Sequence, residues 1–509
     1  MIHVRSVLRL VGLLTLVLSG SMLLTTLAIL AWFGMQPTEL AAKKALLVTV
    51  AAGVVIGLAL WLVGYGRKAY LGRREALLLV AISWLIGAAL AGMPYRMWAL
   101  FASADDHQFS SMVSCYFEAM SGLTTTGATV LGDVSALPRA LLLWRATTHW
   151  LGGLGIVVLF VAVLPTLGVG GKRLFQIEAP GPASQGVRPR IRETARMLWL
   201  IYLVLTVAQV MLLWSAGMNI FDAVCHTFAT MATGGFSTAG ASVGAFDSIA
   251  IDTIVIVFML LAGVNFGVYY LVLRGKARAA WRDPELRLYL LILLVATLIV
   301  AWDIHGRPVV LMTGGTGEAA GVGEAIRYGA FQVVAVQTTT GFCTADFDRW
   351  GVLSRGVLVV LMFVGASAGS TGGGIKVIRC FIALKVLLAE FERVFRPNVV
   401  RTVNVGRWSV DPELKLTTLA YVLGVGALFA IGTFVLMMIE PGLDLTSAAT
   451  ASAATLNNVG PGLGDVGAVK NYGWFSGPSK ILLSLLMALG RLEIFAILVL
   501  LMPSFWRGE

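Results

Sequence analysis

Ten apolar stretches, each about long enough to cross a bilayer, constrain this 509-residue chain more tightly than any motif in it. They lie near residues 10–33, 45–65, 75–97, 140–166, 197–217, 250–273, 286–303, 353–390, 414–438 and 480–502. A helix needs about 20 apolar residues to span the hydrocarbon core. Backbone in lipid must satisfy its own hydrogen bonds, which leaves helices or closed barrels. Stretches of this length are helices, so the expected fold is an all-α polytopic membrane protein. Composition excludes the alternative of about three soluble domains: 58% of residues are hydrophobic and 13% charged, against about 25% charged in a soluble domain. The first stretch follows Arg5 and Arg9 without an evident cleavage site, and reads as a retained helix rather than a signal peptide. The four cysteines, Cys115, Cys225, Cys343 and Cys380, lie far apart, so neither a disulfide framework nor a zinc site is indicated.

The net charge of +11 would suit nucleic acid if it were spread over a soluble surface. Its location argues otherwise. With the N-terminus inside, segments 1–9, 66–74, 172–196, 274–287, 376–415 and 503–509 are cytoplasmic and hold 26 of the 38 Lys and Arg residues. The opposite connections collect Asp105, Asp106, Asp133, Asp247, Asp303, Glu318, Asp346, Asp348, Asp444 and Asp465. That asymmetry places both termini in the cytoplasm, sets the basic residues against anionic lipid and leaves an outer face that attracts cations. No nucleic-acid partner is expected.

Four outer connections contain a semi-apolar segment too short to span: 107–123, 219–231, 323–336 and 445–456. Such segments are expected to be re-entrant helices, several of them opened by an N-cap residue such as Asp106, Asn219 or Asp444. Each ends in a run of Thr, Asn and Gly. The runs are Thr124-Thr125-Thr126-Gly127, Ala232-Thr233-Gly234-Gly235, Thr338-Thr339-Thr340-Gly341 and Asn457-Asn458-Val459-Gly460. Central glycines at 127, 234, 341 and 460 fall at spacings of 107, 107 and 119, the mark of an internal repeat of about 110 residues. The expected units are two N-terminal helices (1–70), then pore repeats at 71–190, 191–280, 281–405 and 406–509.

Irregular backbone at membrane depth survives only when buried in protein or lining a watery path. Glycine lets consecutive carbonyls turn toward an axis, and rings of carbonyls replace the water shell of potassium. The C-terminal ends of the short helices add partial negative charge. A single Thr/Gly cluster is usually a turn; four at matched positions point to a filter. Its expected residues are Thr125, Thr126, Gly127, Ala232, Thr233, Gly234, Thr339, Thr340, Gly341, Asn458, Val459 and Gly460. The ion itself would sit at Thr126, Gly127, Thr233, Gly234, Thr340, Gly341, Val459 and Gly460.

The eighth stretch is roughly twice the length of one crossing and is interrupted by Gly365-Ala366-Ser367-Ala368-Gly369-Ser370-Thr371-Gly372-Gly373-Gly374. So many glycines cannot hold a regular helix. The expected arrangement is an outer half-helix, a loop, and an inner half-helix carrying Lys376, Arg379 and Lys385. Arg491 lies halfway along the last stretch, where a charge by default marks a functional path. Glu493, about 200° further around a continuous helix, could not pair with it. A structural ion pair to a neighbouring helix is the other account of Arg491. Arg145 and His149 are left open between packing and the outer vestibule.

These features resemble the Trk/Ktr/HKT superfamily of potassium uptake proteins, specifically its bacterial Trk-type membrane subunit, over essentially the whole chain. The carriers are Thr338–Phe342 with Ala345-Asp346-Phe347, the Leu456–Gly464 stretch, Gly369–Lys376 and Gly490-Arg491-Leu492-Glu493. The resemblance implies four repeats around one pore in the bacterial inner membrane and potassium as substrate, with no cofactor in this chain. It assigns gating to Ser367, Gly369, Ser370, Thr371, Gly372, Gly373, Gly374, Lys376, Arg491 and Glu493: the loop obstructs the pore, the arginine is an electrostatic barrier and the glutamate supports the loop. It further implies a homodimer and a cytosolic nucleotide-binding ring protein as regulatory partner, to which any nucleotide dependence would belong. Glycine at 127, where sodium-selective plant members carry serine, implies potassium. Cys343 departs from the hydroxyl residue common there.

Two rival classes are weaker. Gly365-Ala366-Ser367-Ala368-Gly369 matches the nucleophile elbow of serine hydrolases, but that motif needs a strand–turn–helix setting; nor does the stretch fit a P-loop, because Ile375 separates Gly374 from Lys376. A secondary cation carrier, coupled by proton or sodium symport, is the nearer alternative. Carrier repeats typically invert, whereas these four keep one orientation.

Overall fold

The computed structural model describes residues 3–34, 36–65, 72–162, 187–398, 402–406 and 408–507. The basic segments expected at 66–74 and 172–196 fall largely outside them. The protein is predominantly helical. Helices α1 (Val4–Phe33) and α2 (Pro37–Val63) precede α3 (Arg73–Phe101), α4 (Met112–Leu123), α5 (Arg139–Ala162), α6 (Val187–Ser215) and α7 (Ile220–Met231). There follow α8 (Ile249–Gly263), α9 (Phe266–Leu273), α10 (Pro284–Ile304), α11 (Val322–Gln337), α12 (Val352–Phe363) and α13 (Val377–Phe395). The last are α14 (Pro412–Ile439), α15 (Leu445–Leu456), α16 (Gly477–Arg491) and α17 (Phe495–Leu498).

Among the described residues six helices are long and apolar enough to cross a membrane, or eight if two bent pairs count as spans. The bends are a departure from expectation. Residues 250–273 and 480–502 read as continuous, yet α8 meets α9 at 92° and α16 meets the helical segment after it at 112°. In the first, Asn265 caps α9 by accepting from Gly267 N at 2.8 Å. In the second, Glu493 adopts φ 57° and Ile494 N reaches back to Leu489 O at 2.8 Å, a Schellman closure with a non-glycine residue in the left-handed position. The eighth stretch is interrupted as expected, with the break at 364–376 between α12 and α13, but Lys376 falls in the break just before α13, which leaves Arg379 and Lys385 on the inner half-helix.

The long helices turn apolar side chains such as Val17, Leu24, Val55, Leu298, Leu423 and Met438 outward. The short helices α4, α7, α11 and α15 are enclosed, and bury polar groups including Ser121, Thr230, Gln337 and Thr455. Apolar outside and polar inside is the arrangement lipid demands. Asn219 and Asp444 cap α7 and α15 through Asp222 N at 2.9 Å and Ser447 N at 3.1 Å. Hydrogen bonds from Ser447 hold the Asp444 carboxyl below its ordinary pKa. Asp106 does not cap α4, because a 3-10 turn at Gln108–Ser110 intervenes and the helix starts at Met112. The connection before α11 also carries an antiparallel hairpin, Pro308–Val310 with Thr316–Ala319.

Candidate ion pathway

All four short helices end in the same way. The residue after the cap is left-handed in each: Thr125 (φ 54°), Thr233 (56°), Thr339 (58°) and Asn458 (56°). Its amide bonds back to Gly122, Thr230, Val336 or Leu456's neighbour Thr455, at 3.1, 2.9, 3.0 and 3.3 Å. The next amide reaches one residue further, Thr126 N to Ser121 O, Gly234 N to Ala229 O, Thr340 N to Ala335 O and Val459 N to Ala454 O, each at 2.8 Å. These are four Schellman motifs, a geometry in which glycine is the usual left-handed residue and asparagine the occasional one. A β-branched threonine there is a genuine outlier, and such strain collects at functional sites.

This fixes the register. The residue two past the first left-handed one is again left-handed, at Gly127 (φ 80°), Gly235 (79°), Gly341 (72°) and Gly460 (101°). The central glycine of the second loop is therefore Gly235, one residue beyond the expected Gly234, and Ala232 occupies the cap position that Thr124 and Thr338 hold elsewhere. Left-handed residues at i and i+2 turn successive peptide planes the same way, so their carbonyls can face one axis.

The loops also close on one another. A methyl group on Gly127 would strike Gly234 O; on Gly235, Thr340 O; on Gly341, Val459 O; and on Gly460, Thr126 O. Each loop is seated on the next, and the fourth returns to the first. The four left-handed glycines line one polar cavity of about 120 Å³ on the side from which the short helices enter. Its wall includes Arg145, Cys343 and Tyr472. Tyr472 Oη donates to Gly460 O at 2.8 Å, and Asn458 Nδ2 joins the fourth loop to Thr126 Oγ1 at 3.0 Å.

On the opposite side lies the loop between α12 and α13. Gly373 N donates to Thr339 Oγ1 at 2.6 Å, and Thr371 Oγ1 to Met231 O at 2.9 Å. Ser367 N bonds Gly263 O at 3.0 Å, and Gly369 O accepts from Phe266 N at 3.1 Å, tying the loop to the α8/α9 bend. Ser370 Oγ bonds Ser367 O at 2.6 Å and accepts from Gly372 N at 3.3 Å. Gly374 is left-handed at φ 66°. Lys376 Nζ donates to Gly372 O and, at 3.4 Å, to Gly373 O. Glu285, from the start of α10, accepts from Ala368 N at 2.7 Å.

Arg491 ends α16 rather than lying within a continuous span. It is buried and makes no ion pair among the described residues; it donates to Thr371 O at 2.8 Å and Gly152 O at 3.1 Å. A structural salt bridge therefore does not account for it. Glu493 pairs instead with Arg379 at 2.7 Å, whose guanidinium lies 4.2 Å from the Tyr421 ring centroid.

Three turns of α5 face this axis. Arg145 forms a buried pair with Glu118 at 2.7 Å, and Glu118 also accepts from Val130 N at 3.0 Å. His149 packs behind Gly234, and Gly152 lies against Leu123 O. The sequence left Arg145 and His149 open and missed Glu118; the i, i+4, i+7 spacing of Arg145, His149 and Gly152 was the available signal.

Four enclosed helix ends that meet in one ring of carbonyls, with a loop and an arginine beneath, define a cation-transporting membrane protein rather than a site for covalent chemistry. Comparison with known proteins identifies the family. The TrkH family model, described as a cation transport protein, matches residues 93–507. The chain is 38% identical to the Trk system potassium uptake protein TrkH of Escherichia coli K12, covering 99% of this chain and 100% of that protein. It is 36% identical to TrkH of Vibrio parahaemolyticus, over 99% of each. The crystal structure of the potassium transporter TrkH from Vibrio parahaemolyticus superimposes with a TM-score of 0.86 at 34% identity, covering 99% of this chain and 100% of that one. The chain belongs to the TrkH family of cation transport proteins; it is a transporter, not an enzyme.

Proposed function

We propose that this protein carries potassium into the cell across the bacterial inner membrane, through a filter formed by the four loops. The carrying observation is the closed circuit in which each left-handed glycine rests on a carbonyl of the next loop. The filter residues are then Thr125–Gly127, Thr233–Gly235, Thr339–Gly341 and Asn458–Gly460. Among the described residues, Thr125 Oγ1 and Asn458 Oδ1 are buried without a hydrogen-bond partner, which leaves both oxygens available to a dehydrating cation. The names of the relatives support potassium as the ion. Four helix–short helix–helix units, beginning near residues 71, 191, 281 and 406, surround this axis.

The loop at 364–376 and Arg491 form the gate. Gly373 N on Thr339 Oγ1 and Arg491 on Thr371 O keep the loop pressed against the inner end of the filter, and release requires both bonds to break. Glu493, through Arg379, anchors the helix that follows the loop. The subunit works as a homodimer, and a cytosolic nucleotide-binding ring protein acting on the basic inner surface moves α13 and with it the loop.

The test is ion flux from proteoliposomes holding the purified chain, with potassium, rubidium and sodium compared. Potassium should exceed sodium, and Gly127→Ser should raise sodium relative to potassium by displacing Gly234 O. Equal potassium and sodium fluxes in the wild type would overturn the reading.

A further inference from the structure

We propose that His149 is a positioning residue for ion selectivity, its imidazole replacing in the second loop the side-chain support that the other loops build for themselves. This rests on the reading of the loops as a potassium filter.

In common register, the residues on either side of the first left-handed position are Thr124 and Thr126 in the first loop and Thr338 and Thr340 in the third. In both, the two hydroxyls meet at 2.8 Å, and the earlier one donates back to its helix, to Met120 O or Val334 O, at 2.7 Å. This hydroxyl clasp spans the strained residue. The fourth loop uses amides instead: Asn457 Nδ2 bonds Ala453 O at 2.9 Å, and Asn458 Nδ2 bonds Thr126 Oγ1 at 3.0 Å. The second loop has Ala232 and Gly234 at these positions and can form neither arrangement.

His149 fills the place. A methyl group on Gly234 would lie 2.5 Å from its Nδ1 and 2.7 Å from its Cε1. The ring stacks on Phe236 with centroids 4.1 Å apart and planes at 16°, while Arg145 lies 4.0 Å over the same phenyl ring. Phe236, immediately after Gly235, is thus held between two side chains one turn apart on α5. The imidazole is fully buried beside the Ser121 carbonyl, and neither ring nitrogen has a hydrogen-bond partner among the described residues. That carbonyl accepts the Thr126 amide at 2.8 Å. One side chain therefore packs against the backbone of the second loop and lies beside the anchor of the first.

Nor can α5 slide, since Arg145 is locked to Glu118 and Gly152 abuts Leu123 O. Selectivity requires the carbonyls to keep their number and spacing around the ion, and His149 sets the spacing between the first two loops. The second loop carries paired glycines because position 234 must yield to the ring and position 235 must be left-handed.

The test measures the potassium-to-sodium flux ratio in proteoliposomes, with the wild type as reference. His149→Ala should lower that ratio about tenfold, equivalent to ~1.4 kcal/mol. Restoring a clasp in the triple variant Ala232→Thr/Gly234→Thr/His149→Ala should return the ratio to within about threefold of wild type. Gly234→Ala, which forces a methyl group against the ring, should lower the ratio even if His149→Ala gives no folded protein; Gly240→Ala, where the space is open, serves as control. A wild-type ratio in His149→Ala or Gly234→Ala, or a triple variant no better than His149→Ala, would overturn the role of His149 and leave the filter intact. A wild type indifferent between the two ions would overturn the filter reading and this inference with it.

Discussion

Burying a guanidinium inside a membrane protein is costly, and among the described residues Arg491 gains two backbone carbonyls in return. On the proposed function, a group so placed acts on a passing ion. Any unit charge about 8 Å from a cation, at an effective dielectric near ~20, contributes about 2 kcal/mol, or roughly thirtyfold in rate. Arg491→Ala should therefore raise the resting potassium flux of the purified chain on that order, with a melting temperature in detergent close to wild type. A lowered melting temperature with unchanged flux would assign the residue to packing. The left-handed threonines follow the same logic under the proposed function, in which a conformation natural to glycine is kept at β-branched residues so that a hydroxyl oxygen stands at the inner end of the ring.

Among the elements, the broken segment between α12 and α13 bonds directly to the proposed filter, through Gly373 N on Thr339 Oγ1. Deleting Gly372–Gly374 removes the Gly373 bond to Thr339 Oγ1 and the carbonyls that Lys376 holds. Flux without any regulatory partner should rise several-fold; a loss confined to folding yield, with flux per folded protein unchanged, would reduce the loop to a structural connector. This element was legible in the sequence because five glycines among serines and threonines cannot sustain a helix. The short helices were legible too, from length and apolar content. The bends were not, because a hydropathy window cannot sense a Schellman closure at Glu493 or an asparagine cap at Asn265. The register of the second loop was likewise hidden. Thr233-Gly234-Gly235 offers two glycines, and only φ separates the one that turns from the one that makes room for His149.

At the scale of the whole molecule, carboxylates toward the ends of the helices are held by neighbouring groups. Asp303 accepts from Ser354 N at 3.1 Å and pairs with Arg307 at 3.2 Å, and Asp252 pairs with Arg327 at 2.7 Å. Part of the expected attractive field is thus spent on structure. Three carboxylates cap a helix of a different segment: Asp303 caps α12, Glu440 caps α16 through Ser476 N at 2.7 Å, and Glu39 caps α5 through Arg139 N at 2.8 Å and Ala140 N at 3.1 Å. Glu39 gives the first two helices a purpose beyond anchoring, because α5 presents Arg145, His149 and Gly152 to the axis and Glu39 is its N-terminal stop. Thr25 Oγ1, at 3.4 Å from Thr147 Oγ1, adds a second tie from α1. Losing a cap of this kind costs about 1–2 kcal/mol, while α5 keeps its pair with Glu118 and the Trp144 Nε1 bond to Ala91 O at 2.9 Å. Glu39→Ala should accordingly lower the melting temperature in detergent, with Glu39→Gln intermediate, and leave the potassium-to-sodium ratio at its wild-type value. A changed ratio with an unchanged melting temperature would mean that the N-terminal pair sets the filter itself rather than the stability of the helix behind it.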